Sequence, residues 1–135
     1  MSDDPHAAAF LSLLRAVSGL RVFPDADGNT PTATTPLPYV VAWISVRYDL
    51  GATIDVRSSR GVATATVHSV GANDTAARIT AGKVRGALLD VAPTMAGRKP
   101  YPIRHDDSPP ARPDKSTGRR VYDQIDVYRL ESLPG

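Results

Sequence analysis

The sequence predicts a single α+β domain over residues 1–135, with a mostly antiparallel sheet flanked by two helices. Two segments carry apolar residues at helical spacing, whereas the segments between and after them alternate residue by residue, as strands do. Runs of consecutive strands favour antiparallel pairing over a doubly wound parallel sheet. The length of 135 residues suits one domain with one hydrophobic core.

The first helix is predicted to begin at Asp4–Pro5, because aspartate caps a helix and proline fits its first position. Gly19 is well placed to end this helix in a left-handed conformation. His6 lies in the first turn, where it is expected to be exposed. The buried stripe comprises four apolar residues at helical spacing: Phe10, Leu13, Leu14 and Val17.

The second helix is predicted to be capped by Asn73 or Asp74 and to end by Pro93. Gly82 and Gly86 weaken it by about 1 kcal/mol each relative to alanine. Glycine at that spacing indicates that something packs close to the helix, and both the domain's own sheet and a neighbouring subunit stay open. The stripe comprises apolar residues at helical spacing: Ala77, Ala81, Val84, Leu88 and Val91, widened by Ile79 and Ala87.

Five strands are predicted from alternation and from flanking turn residues, and 51–60 is either a further strand or a turn. Ala63, Ala65, Val67 and Ser69 share one face, and their small side chains allow a helix to approach closely. Both faces of the strand containing Trp43 begin apolar, so its first half is expected to be covered on both sides. The predicted strands cover residues 20–23, 37–50, 62–70, 101–104 and 120–130.

Long loops are predicted at 24–36 and 105–118, where proline and polar residues concentrate. In the last strand, Gln124 and Asp126 lie on the same side as Tyr128, which suggests that this face is only partly buried.

The composition excludes several classes of protein. The net charge is only +2, and Arg119–Arg120 is too short to form the basic face of a dedicated nucleic-acid binder. The absence of cysteine excludes disulfides, thiolate chemistry and cysteine-based zinc sites. The acidic start, Met1–Pro5, is not a signal peptide, and no apolar run reaches transmembrane length, so a soluble protein without a membrane partner is expected.

The candidate chemical motifs all have a simpler interpretation. His105, Asp106 and Asp107 are adjacent and cannot all face one ion from a strand, so they are interpreted as a solvated loop. His68 is interpreted as a satisfied, half-buried histidine. No nucleophile elbow supports a triad of Ser45, His68 and Asp55.

Asp25 and Asp27 lack the ligand pattern of a calcium loop. The sequence therefore predicts no catalytic, cofactor-binding or metal site, and a protein that is not an enzyme. A small enzyme or ligand-binding domain stays a remote alternative. The strand-borne aromatic residues are either core or interface residues: Tyr39, Trp43, Tyr122 and Tyr128.

The order of these features resembles a known family. The strand start Leu37-Pro38-Tyr39-Val40-Val41 is its most characteristic part. It is followed by a strand that ends at Ser69-Val70-Gly71, the helix 77–88 and the final segment Arg120–Tyr128. Together they resemble the tail terminator (tail completion) proteins of long-tailed bacteriophages over nearly the whole chain.

The resemblance implies a virion protein, assembled in the host cytoplasm, that forms a homo-hexameric ring. Such a ring caps the tail tube, ends its polymerisation and joins the tail to the head-completion or connector proteins. Its partners are therefore further copies of the chain, the tube protein and the head-completion protein. DNA is able to pass through the ring, without sequence-specific recognition. The family has no catalytic, metal or cofactor residues to carry over.

Two alternatives stay open beside the terminator role. A head-closure or connector protein and a minor tail protein belong to the same neck region. The loops 24–36 and 105–118 are the expected contacts to the tube or to the head side, because they are long and lack apolar anchors.

Overall fold

A computed structural model describes residues 5–23, 35–49, 60–109, 112–114 and 121–134. Within these ranges it contains two helices and one sheet of seven strands, which confirms the predicted α+β class. In chain order the elements are α1 (Pro5–Arg15), β1 (Arg21–Phe23), β2 (Tyr39–Asp49), β3 (Arg60–Gly71), α2 (Asp74–Leu88), β4 (Arg98–Pro100), β5 (Arg104–Asp107), β6 (Arg112–Asp114) and β7 (Val121–Pro134).

The sheet is built around the three long strands β2, β3 and β7, which pair antiparallel in that order. β1 adds to the outer edge of β2 in the parallel direction. At the opposite edge, β4, β5 and β6 all pair antiparallel with β7. They lie one after another along it, opposite Ser132–Pro134, Val127–Arg129 and Val121–Asp123.

The edge of the sheet along β7 differs from the sequence prediction. The stretch 105–118 was predicted to be one long loop, but its described parts include most of β5 and all of β6. The predicted strand 101–104 is also wrong, since only Arg104 of it is in a strand. Proline has no N–H to donate to a ladder, so Pro100, Pro102 and Pro109 divide this edge into short pieces.

Other predicted segments lie largely outside the described residues. Of the predicted loop 24–36, only 35–36 are described, and they are in neither a helix nor a strand. Of the undecided stretch 51–60, only Arg60 is described, and it begins β3. None of the described helices is long and apolar enough to cross a membrane.

Both helices pack on one face of the sheet and enclose the main core. Ala63, Ala65, Val67 and Ser69 of β3 lie on this face and are all fully buried, which confirms that their small side chains admit helices at close range. Across β3 and its neighbours, the apolar core comprises Phe10 and Leu14 of α1, Val84 and Leu88 of α2, Val40 and Ala42 of β2, and Tyr128 and Leu130 of β7.

Local signals set the ends of both helices. Gly19, at φ +77°, follows α1 in the predicted left-handed conformation. Asn73 caps α2, and its side chain accepts a hydrogen bond from the Ala76 backbone N–H at 2.8 Å. α2 ends at Leu88, earlier than predicted, and Asp90 then adopts a positive φ of 63°.

The outer surface of α2 corrects two further expectations. Ile79 is 58% exposed and does not widen the buried stripe, because Thr80 takes the inward position. A Cβ built at Gly82 or Gly86 meets no atom within 4 Å. The domain's own sheet is therefore not what these glycines face.

Candidate functional site

The sheet face opposite the helices is the first candidate surface, and we call it the open face. The strand registers place Trp43 beside Thr66, and Thr66 beside Val127, in one row across it. The Trp43 side chain is 63% exposed, so the expected cover on both sides of β2 is wrong at this residue. Both helices pack on the other face and leave the indole uncovered.

One end of the open face carries a small apolar cluster. Phe23, Tyr39, Val70 and Val121 are buried there. The rings of Phe23 and Tyr39 meet edge to face, with centroids 5.9 Å apart. Tyr39 is therefore a core aromatic and is covered as expected, in contrast to Trp43 only four residues along β2.

The other end of the open face is charged. A shallow depression of about 280 Å³ lies there between Ser45, Arg47 and Thr64, with Arg129 at its side. Arg129 pairs with Asp106 at 3.7 Å and with Glu131 at 3.3 Å. Exposed tryptophan and arginine beside a polar rim are typical of protein–protein interfaces.

His68 lies between these two ends and is half-buried and satisfied, as predicted. Its Nδ1 lies 2.8 Å from Oδ2 of Asp123 on the neighbouring strand. Ser45 is paired with Thr64 of β3, and Thr64 lies four residues before His68 on the same strand. Ser45 and His68 are therefore separated by about 13 Å along the strand direction. The described residues therefore keep Ser45 and His68 apart, and Asp55 lies outside the described residues.

The helix-facing side of β7 is the second candidate surface, and it carries polar groups beneath α2. Gln124 and Asp126 are only 7% and 2% exposed, and Tyr128 is fully buried. The prediction that this side is only partly buried is therefore wrong. α2 covers it, and local hydrogen bonds offset part of the cost of burying its polar groups.

His105 supplies the main partner for these buried groups. Its Nε2 lies 2.9 Å from Oδ1 of Asp126, and its ring lies 5.1 Å from that of Tyr128. Asp106 points instead to Arg129, and Asp107 accepts the backbone N–H of Ser108. The adjacent residues His105, Asp106 and Asp107 thus have separate partners and do not converge on one point.

Tyr128, on this buried side of β7, has a raised pKa. Burial raises the pKa of Tyr128 to about 12, the charge of Asp126 adds to the rise, and the Arg85 guanidinium opposes it. Within the described part of the chain, no hydrogen bond of normal geometry reaches the Tyr128 hydroxyl, although the Arg85 guanidinium lies close enough to favour its ionised form. The phenol therefore keeps its proton well above pH 10.0, where an exposed tyrosine ionises.

A cavity of about 240 Å³ opens above this polar layer, and we call it the α2–β7 cavity. Two arginines of α2 and two buried polar groups of β7 give it a charged rim and a polar floor. Its lining residues are Arg78, Ala81, Gly82, Arg85, Ser108, Gln124 and Asp126.

A buried histidine, His6, anchors the start of α1. His6 is fully buried, contrary to expectation, and its Nε2 lies 2.7 Å from Oγ of Ser132. The same Oγ accepts a hydrogen bond from Nε of Arg98 at 2.6 Å. Because both His6 and Ser132 are inaccessible to solvent, this pair ties the helix to β7 and is not placed to attack a substrate.

The comparisons with known proteins come from structure alone. No family model matches the chain, and no curated protein sequence matches it. The fold matches a chain in a solved structure of the virion of a native gene transfer agent particle, with a TM-score of 0.65 and 16% identity. The match covers 96% of this chain and 99% of that one. It shows that the two chains share a fold from end to end.

The sequence did not signal the α2–β7 cavity. Gln124 and Asp126 alternate with apolar residues, a pattern that normally places polar groups in water. Trp43, in contrast, was recognisable as an aromatic on a long strand, either in the core or in an interface, and its exposure excludes the core alternative.

Proposed function

We propose that this chain is a structural subunit of a phage-like virion. The observation that carries the proposal is the fold shared with a chain of the gene transfer agent virion. Because the match spans 96% and 99% of the two chains, it relates them along nearly their whole length.

The finer role that we propose is that of a tail terminator. In this role a homo-hexameric ring of the chain caps the tail tube, ends its polymerisation and joins the tail to the head-completion proteins. The sequence resemblance supports it at Leu37–Val41 and at Arg120–Tyr128, which contribute to the central strands β2 and β7.

The two candidate surfaces are compatible with a ring. Head-to-tail closure requires two different faces on each subunit. The open face offers an exposed tryptophan between an apolar end and a charged end, whereas the α2 side offers arginines around a polar cavity. In this proposal the subunit works by contact and performs no catalysis.

Electron microscopy of particles produced without this chain tests the proposal. Overlong tubes and heads without joined tails are the expected result, because nothing would stop tube growth or form the junction. Tails of normal length beside leaking heads would overturn the terminator role and favour head closure. Unchanged particles, with the chain absent from purified wild-type virions, would overturn the virion role itself.

A further inference from the structure

We draw no further inference here: the strongest candidate, the open face of the sheet around the exposed side chain of Trp43, carries none beyond the proposed function, because nothing in the described residues shows what covers it.

Discussion

The two faces of the sheet differ although they are built from the same strands. On β3, Ala63 and Ala65 face the helices and are fully buried, whereas Thr64 and Thr66 alternate with them on the open face and are half-buried. The strand pattern alone makes both faces moderately apolar. The position of α1 and α2 decides which face becomes the interior.

The two faces differ in what a substitution is expected to affect: folding stability on the helix-covered face and recognition of a partner on the open face. The helix-covered face holds most of the fully buried apolar residues and so most of the free energy of folding. The open face contributes less to folding because its largest aromatic, Trp43, is mainly in water. Substitutions on the two faces should therefore have different consequences.

The largest expected effect is on the covered face, at Phe10 of α1. Phe10 is fully buried in the main core, so Phe10→Ala is expected to lower the free energy of unfolding by about 3–5 kcal/mol. Trp43→Ala is the matched truncation on the open face and is expected to cost less than about 1 kcal/mol. Chemical denaturation of both variants measures the two values, and equal losses would show that the open face is covered.

The next largest effect is the pH dependence of the free energy of unfolding, which we expect from Tyr128 beneath α2. Because the pKa of Tyr128 is raised from 10.0 to about 12, the folded state holds the phenol proton more tightly than the unfolded chain does. The resulting stability is fully present below about pH 10 and is lost as the pH rises to about 12, by up to about 3 kcal/mol. Unfolding measured between pH 9 and pH 12 tests this dependence.

Tyr128→Phe provides the control for that titration. It is expected to remove this part of the pH dependence, because phenylalanine carries no titrating proton. At neutral pH it should change the free energy of unfolding by less than about 1 kcal/mol, since no hydrogen bond of normal geometry reaches the buried hydroxyl although the Arg85 guanidinium lies near it. A clear loss of stability at neutral pH would instead indicate a partner for this hydroxyl.

A third prediction compares adjacent residues of β3. Ala65→Leu adds volume between the sheet and the helices and is expected to cost about 1–3 kcal/mol. Thr66→Leu adds a similar side chain on the open face, where the change is expected to stay within about 0.5 kcal/mol. Thermal unfolding compares them, and a larger cost at Thr66 would reverse our assignment of the two faces.

The elements that the sequence predicted well are those with local causes. The cap at Asn73, the left-handed Gly19 and the buried stripe through Val84 depend on residues within one or two helical turns. The division of the β7 edge into β4, β5 and β6 was missed, because each is only three or four residues long and exists through its pairing with β7.

The buried polar groups were missed for a related reason. His6 is buried against Ser132, which lies 126 residues away in the chain, so no local pattern indicates the contact. Asp126 is 2% exposed, and its partner His105 lies 21 residues away in the chain, on β5. Long-range pairing overrides the general rule that charged residues stay in water.

The smallest expected effect on stability is at the centre of the open face, at Trp43. Trp43→Arg should change the free energy of unfolding by less than about 0.5 kcal/mol, because the side chain is already mainly exposed. If the open face contacts a neighbouring subunit, as the proposed function implies, a charge beside Thr66 and Val127 should greatly reduce incorporation into particles. Tyr101→Arg, at the similarly exposed Tyr101 in the connection between β4 and β5, is the control and should be incorporated normally, because Tyr101 lines neither the α2–β7 cavity nor the depression at Arg47. Quantitative mass spectrometry of purified particles measures both variants. Equal incorporation of the two would remove the open face from the proposed interface and leave the α2 side as the better candidate.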